Sequence, residues 1–496
     1  MEITVLGAGH VGLVCAACLA GIGHRVRVQD IDADRVERLA RGETPFLEPG
    51  LDELLAEGRE TGRLTFHTDP EQALAPAKLI FICVPTWANG HTADLSAVVA
   101  AASSVARHAN DDAVLINRST SPVGTLEYIR TLIEEERGSP LSVVSNPEFL
   151  AEGTAVADFL APYRVVIGAW EEWAVDRLVE AYRPILDGRL PASMEQWIRP
   201  RGSTHKIPVP LLVTAPETAE LAKYAANAFL AVKISFINEI ATIADGFGAD
   251  VDEVATALGL DPRIGPHFLA AGLGWGGSCF PKDILVLKGM AETSGVSARI
   301  LSAANEVNTD QRRWVVHKLR SNLKTLLGRR VGLLGLSFKP NTDDIRNAPA
   351  LEIAEDLLKL NVQVRAFDPA VTRLPPPLDG AIELASDPLA AATGADALVV
   401  ATEWPQFADL PLAELRRVMR VPLLLDGRNC VDPDLARAAG FMYVGVGRGG
   451  ADILPINGRA STASPTETSQ GTAAQESVDS VVQLVRPSTD PAGAGT

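Results

Sequence analysis

Cysteine is scarce in this chain: five among 496 residues, an odd number. That leaves no disulfide framework and points to a reducing compartment. Positive charge is also in short supply, with 45 Lys and Arg against 62 Asp and Glu and a formal net charge of −17. This balance excludes a surface built for nucleic acid or for an anionic membrane, though not a local basic pocket for a small anion. No uninterrupted apolar run approaches the roughly 20 residues that span a bilayer. Met1 leads straight into Glu2-Ile3-Thr4-Val5-Leu6-Gly7, without the basic opening of a secretory leader, and a cytoplasmic protein with no membrane partner is expected. The last stretch, about 451–496, lacks both aromatic residues and lysine. It reads as a disordered tail, since it has too little apolar surface to offset the entropy of ordering.

What remains is ordinary globular composition, 47% apolar and 22% charged, at a length that implies two or three domains. Ile3-Thr4-Val5-Leu6 predicts a strand, Val11 to Ile22 a helix, and His24 to Val28 a second strand ending at Asp30. Short strands follow at Leu79–Val84, Ala113–Asn117 and Leu141–Ser145, separated by helical stretches. Alternation of this kind predicts a parallel sheet covered on both faces. From Thr218 to about Phe247 an Ala-rich helical period runs without a proline, long enough for a spine between domains. A second α/β unit opens at Val331-Gly332-Leu333-Leu334-Gly335 and continues through Ala350–Leu360, Val362–Phe367, Ala397–Thr402 and Pro422–Leu425. The fold class is therefore α/β, two Rossmann-like doubly wound domains joined by a long central helix. Residues 187–210, with four prolines, read as an inserted surface loop.

Gly7-Ala8-Gly9-His10-Val11-Gly12 stands between a strand and a helix, and Asp30 closes the next strand. The glycines allow a tight turn, close approach to a pyrophosphate and helix–strand packing, while the acid meets ribose hydroxyls and disfavours a 2′-phosphate. NAD rather than NADP is the expected cofactor. Cys279 lies in Gly274-Trp275-Gly276-Gly277-Ser278-Cys279-Phe280-Pro281-Lys282-Asp283. A thiolate there, its pKa lowered by Lys282, would attack an aldehyde; a buried packing cysteine would fit the same spacing. Cys15 and Cys18 form a lone C-x-x-C on the first helix and read as packing residues, as do Cys83 and Cys430. Lys223 and Asn227 share a helix face, suited either to polarising an oxygen or to meeting solvent. Glu148 and Glu152 read equally as site carboxylates or as a pair at a helix N-terminus. Gly335-Leu336-Ser337-Phe338-Lys339 follows a strand but lacks the later fingerprint glycines. There Lys339 and Arg428 offer positive charge to a diphosphate.

Taken together, the chain resembles the UDP-glucose/GDP-mannose dehydrogenase family. The matching stretches are Gly7–Gly12, Ser119–Thr125, Asn146–Gly153, Ala219–Phe229, Gly276–Asp283 and Phe338–Arg346, in the family's order from residue 1 to about 446. The resemblance implies an NAD-binding domain at 1–212, a central helical dimerisation domain at 213–315, a UDP-sugar domain at 316–450, and a homodimer. It implies that a sugar C6 is oxidised twice, with two NAD reduced, through a thiohemiacetal and a thioester on Cys279. UDP-glucose stands ahead of GDP-mannose as substrate, and no metal is involved. Cys279, Lys223, Asn227, Asp283, Thr120 and Glu148 would be catalytic. Gly7, Gly9, Val11, Gly12, Asp30, Arg35, Thr86, Thr120, Glu152, Lys282 and Arg346 would hold the cofactor. Glu148, Phe149, Leu150, Lys223, Asn227, Arg263, Gly276, Gly277, Phe338, Lys339 and Arg428 would hold the sugar nucleotide, Arg263 in some relatives from a neighbouring subunit. Ala270, Trp275, Trp87 and the insertion depart from the family pattern, and Ala270, Trp275 and the insertion bear on sugar specificity.

Overall fold

The computed structural model describes residues 1–198 and 208–449. The expected tail at 451–496 and residues 199–207 of the insertion lie outside the described residues. Two parallel-rich sheets organise the rest.

The first sheet begins β1 (Glu2–Leu6), α1 (His10–Gly21), β2 (Arg25–Gln29), α2 (Ala33–Arg41), α3 (Leu51–Glu60), β3 (Leu64–His67), α4 (Pro70–Leu74), β4 (Leu79–Ile82). A hairpin, β5 (Trp87–Asn89) and β6 (Thr92–Asp94), then leads to α5 (Ser96–His108), β7 (Val114–Asn117), α6 (Thr125–Arg137), β8 (Ser142–Ser145), α7 (Ala155–Leu160), β9 (Val165–Ala169), α8 (Glu172–Leu186) and β10 (Leu211–Thr214). The strand order is β10-β9-β8-β7-β4-β1-β2-β3. Every residue of β4 and β7 is buried, as expected for central strands covered by helices on both faces. One expectation fails: β9 runs antiparallel to β8, so the sheet is not parallel throughout. Strand direction leaves no mark on an apolar run, and the antiparallel edge was invisible in the sequence.

The insertion is not merely a surface loop. Residues Ala192–Trp197 form a 3₁₀ turn whose Met194 is fully buried. Met194 packs against Gly21 at the end of α1, and Trp197 lies over Gly50. The boundary expected at 212 falls inside β10.

The centre of the chain is helical: α9 (Pro216–Phe247), α10 (Val251–Gly259), α11 (Phe280–Thr293) and α12 (Arg299–Leu323). Pro216 pre-sets the first turn of α9, and Gly248, with φ of 70°, ends it. At 32 residues α9 is long and apolar enough to cross a bilayer by length and composition, which a count of uninterrupted apolar runs did not register. Its buried face nevertheless carries Glu220, Lys223, Asn227, Ser235 and Asn238, and it packs on α11 and α12. The third part is β11 (Arg330–Leu334), α13 (Pro349–Lys359), β12 (Gln363–Phe367), β13 (Glu383–Leu384), α14 (Pro388–Ala392), β14 (Ala397–Val400), α15 (Leu412–Val418), β15 (Leu423–Asp426), α16 (Pro433–Ala438) and β16 (Met442–Gly445). Its sheet, ordered β13-β12-β11-β14-β15-β16, is parallel at every pairing.

Candidate active site

The turn between β1 and α1 is built for a dinucleotide. Gly7 has φ of +100°, and a Cβ there would come within 2.8 Å of the Cys83 carbonyl oxygen; at Gly12 it would lie 2.0 Å from the Gly7 carbonyl. An added Cβ at Gly9 meets nothing within 4 Å, so the middle glycine faces open space, where a pyrophosphate needs to come close. Asp30 sits at the end of β2, accepting the Ala8 N–H at 2.6 Å and standing 3.4 Å from Arg35. A cavity lined by Asp32, Asp34, Arg35 and Arg38 adjoins this corner. Thr86 donates to the Thr120 carbonyl at 2.8 Å, which ties the loops after β4 and β7 together. The Gly7–Gly12 turn and Asp30 thus fit NAD.

Cys279 caps the N-terminus of α11, where the helix dipole favours a thiolate. The cysteine loop before it is held from every side. Asn308 of α12 accepts the Trp275 N–H at 2.7 Å and donates back to its carbonyl at 3.0 Å. Asn238 of α9 accepts the Gly272 N–H, Arg428 donates to the Gly274 carbonyl, and Asn347 donates to the Gly277 carbonyl. A Cβ at Gly276 would lie 2.0 Å from the Asn347 carbonyl oxygen, and one at Gly277 2.7 Å from the Phe338 ring. Trp275 is buried against α9. Its indole N–H reaches Ser235 of α9 at 2.9 Å, and Ser235 in turn donates to the Ala304 carbonyl.

Two polar pairs close on the thiol. Lys223 Nζ lies 2.9 Å from Glu148, with both side chains sealed from solvent. Burial works against the lysine charge, but Glu148, Cys279 and Asp283 outweigh it and hold its pKa above the ordinary value. Glu148 is likewise held low by Lys223 against the cost of its burial. Asn227 donates to one oxygen of Asp283 at 2.6 Å, and Lys282 takes the other at 2.6 Å. The solvated-face reading of Lys223 and Asn227 therefore fails. So does the helix-end reading of Glu148 and Glu152, because residues 146–153 are not helical.

Lys282 does not activate the thiol as expected. Its ammonium is engaged by Asp283, and the nearby charge that lowers the Cys279 pKa is Lys223. Burial still prevails and pushes the thiol above its ordinary value, with Glu148 and Asp283 adding to the rise.

The other expected residues divide. Phe149 and Leu150 lie beside the ion pair, the Phe149 ring with Lys223 at 5.5 Å and Arg164 at 3.8 Å on it. Lys339 is largely buried, and burial lowers its pKa, with the charges of Glu152, Glu48 and Asp158 opposing. Arg428 donates to the Ala401 carbonyl and lies 3.2 Å from Glu403. Arg263 is not gathered in: its side chain is 86% exposed and is bound by Asp261 of its own loop. Thr120 meets Thr86 through its carbonyl, on the cofactor side.

Sequence reasoning missed several participants. Glu48, fully buried, accepts from the Gly153 and Ala155 N–H groups and pairs with His10 of the nucleotide turn at 2.8 Å. Leu47 beside it donates its N–H to Asp343 of the third part at 3.1 Å. Ser278 and Asp344, both inside quoted motifs, hold Glu152.

A doubly wound sheet with a glycine turn and a closing acid of the dinucleotide type defines an NAD-dependent dehydrogenase. Family models agree: "UDP-glucose/GDP-mannose dehydrogenase family, NAD binding domain" matches residues 1–186, the same family's central domain 217–310, and its UDP binding domain 332–433. The chain belongs to the UDP-glucose/GDP-mannose dehydrogenase family. It is 42% identical over 453 residues to a UDP-glucose 6-dehydrogenase of Bacillus subtilis, covering 90% of this chain and 98% of that one. A UDP-glucose 6-dehydrogenase of Pseudomonas aeruginosa is 42% identical over 461 residues, with coverage of 90% and 98%. Among solved structures, a UDP-glucose dehydrogenase of Pyrobaculum islandicum superposes with a TM-score of 0.80 at 39% identity, covering 90% of this chain and 97% of that one.

Proposed function

We propose that this enzyme oxidises UDP-glucose at C6 to UDP-glucuronate, reducing two NAD per sugar. The observation that carries the reading is the enclosure of the Cys279 thiol with the Lys223–Glu148 and Asn227–Asp283 pairs beside a dinucleotide turn. The names of the 42%-identical relatives and the match to the UDP binding domain support the choice of nucleotide and sugar. The Gly7–Gly12 turn and Asp30 would hold NAD, which would supply the hydride acceptor for each oxidation at C6. Lys223 and Asn227 stabilise the oxyanions that develop at C6, in a site with little water. Cys279 attacks the intermediate aldehyde, so that the second oxidation leaves a thioester, and Glu148 and Asp283 place the water that releases the acid. The covalent bond keeps the aldehyde from escaping between steps.

A homodimer is part of the proposal. Along α9, Leu221, Phe229, Phe236, Ile243 and Phe247 are 45%, 64%, 48%, 49% and 76% exposed, a stripe at helical spacing that a second copy would cover. Arg263, exposed on its loop, would then be free to reach the partner's site. Five free thiols support a cytoplasmic location, and the polar buried face of α9 supports work away from the membrane. The deciding experiment is NADH yield per nucleotide sugar for UDP-glucose and GDP-mannose, on wild type and Cys279→Ser. Two NADH per UDP-glucose, with turnover lost in the variant, supports the proposal. Two per GDP-mannose moves the substrate, and one per sugar refutes the double oxidation.

A further inference from the structure

A buried thiol with a raised pKa needs somewhere to send its proton before it can attack. Three polar side chains crowd Cys279, and none of them is free to take it. Lys223 is held in its charged form by Glu148. Glu148 is occupied on both oxygens, by Lys223 at 2.9 Å and by the Leu150 N–H at 2.5 Å. Asp283 is occupied on both oxygens by Lys282 and Asn227. Lys339, its pKa lowered by burial, and Arg346 also lie near the thiol from the third part, but among the described residues neither is hydrogen-bonded to it.

The hydrogen bond that the thiol does make leads elsewhere. Ser278 Oγ is 3.5 Å from Cys279 Sγ and donates its proton to Glu152 Oε1 at 2.8 Å. A hydroxyl has one proton, so with that proton committed to Glu152 the S–H must be the donor to Oγ. The chain S–H to O–H to carboxylate is thus complete and runs in one direction. On the far side of Glu152 stands Asp344, which Arg346 grips through two nitrogens at 2.9 and 2.6 Å. Burial and the Asp344 charge raise the proton affinity of Glu152, with His10 and Ser278 opposing. Asp344, kept ionised by Arg346 against its own burial, accepts a hydrogen bond from Glu152 once Glu152 holds a proton.

We propose that Ser278 is a catalytic residue that relays the Cys279 proton to Glu152. The S–H bond breaks as the Ser278 oxygen gains that proton, and the Ser278 O–H proton passes to Glu152. The electron pair left on sulfur then forms the bond to the aldehyde carbon, whose oxygen takes the charge beside Lys223. Nothing is oxidised or reduced in this step. The proposal rests on Cys279 being the nucleophile and assigns Glu152 a role beyond holding the cofactor.

The test is the rate at which iodoacetamide alkylates Cys279, followed by mass spectrometry of its peptide across pH. It uses the full-length protein without cofactor or sugar, so it stands even if the substrate is misassigned. Wild type, Ser278→Ala, Ser278→Thr and Glu152→Gln would be compared, each first checked for a wild-type thermal transition. Ser278→Ala and Glu152→Gln should both slow alkylation at neutral pH by about tenfold or more and move its midpoint upward, one unit being a factor of ten. Ser278→Thr, which keeps the hydroxyl, should restore most of the rate. An unchanged midpoint in Ser278→Ala, or a shift there without one in Glu152→Gln, overturns the relay. Turnover surviving in Cys279→Ser alongside shifted midpoints would sink the nucleophile reading instead.

Discussion

Lys223 of α9 and Glu148, just beyond β8, form a 2.9 Å ion pair whose side chains are only 4% and 6% exposed. The Lys223 ammonium is thus oriented by a carboxylate from the first sheet's loops, and neither partner has water to fall back on. Removing one leaves the other charged and buried. Lys223→Met should lower unfolding free energy by about 3–5 kcal/mol. Lys223→Met with Glu148→Gln should recover part of that loss in urea titrations while NADH formation stays abolished.

Asp30 has a second task besides meeting a ribose: it accepts the Ala8 and Asp32 N–H groups and shapes the turn. Asp30→Ser should raise the KM for NAD about ten- to a hundredfold, the worth of one or two hydrogen bonds to a charged group. With Arg35 released, NADP should become a measurable cofactor. Steady-state kinetics with both dinucleotides checks this, and an unchanged preference for NAD would refute it.

Glu220 lies on α9 one turn before Lys223 and accepts the Gly124 and Leu126 N–H groups at the start of α6. Burial pushes its pKa up to about 7 from 4.5, despite those bonds. A raised folded-state value means the stabilising contribution is complete below about pH 4.5 and is lost as pH rises through about 7. Relative to Glu220→Gln, wild type should therefore lose about 2–4 kcal/mol of stability across that window. Guanidinium unfolding at a series of pH values measures the difference; parallel pH curves would contradict it.

Trp275 departs from the family pattern yet sits 5% exposed, bonded to Ser235. Trp275→Phe should cost about 1–3 kcal/mol, through a lost hydrogen bond and a small cavity, and should leave the ratio of kcat/KM for UDP-glucose and GDP-mannose unchanged. A changed ratio would return this position to sugar specificity.

The sequence showed the two nucleotide-type sheets because glycine turns and short buried strands carry local signatures. It showed α9 because Ala-rich periodicity persists for eight turns or so. It could not show that β9 reverses, since an apolar pentapeptide packs the same in either direction. The reactive cysteine was legible only through its motif, because spacing alone admitted a packing role. Burial is what separates Lys223 and Asn227 from a wet helix face, and burial depends on α11 folding over them. Glu48 and Ser278 were illegible for a different reason: their partners lie 105 and 126 residues away. Arg263 is the converse, a residue marked by its motif whose ion-pair partner among the described residues is Asp261 of its own loop.

The segment from Phe338 to Asn347 touches two places at once. Phe338 and Asn347 press on the cysteine loop, while Asn341 lies against Gly153 and Asp344 against Glu152. It therefore acts as an interlock. Parting it from the first sheet's loops would separate Asp344 from Glu152, and with it the neighbouring charge that raises the proton affinity of Glu152.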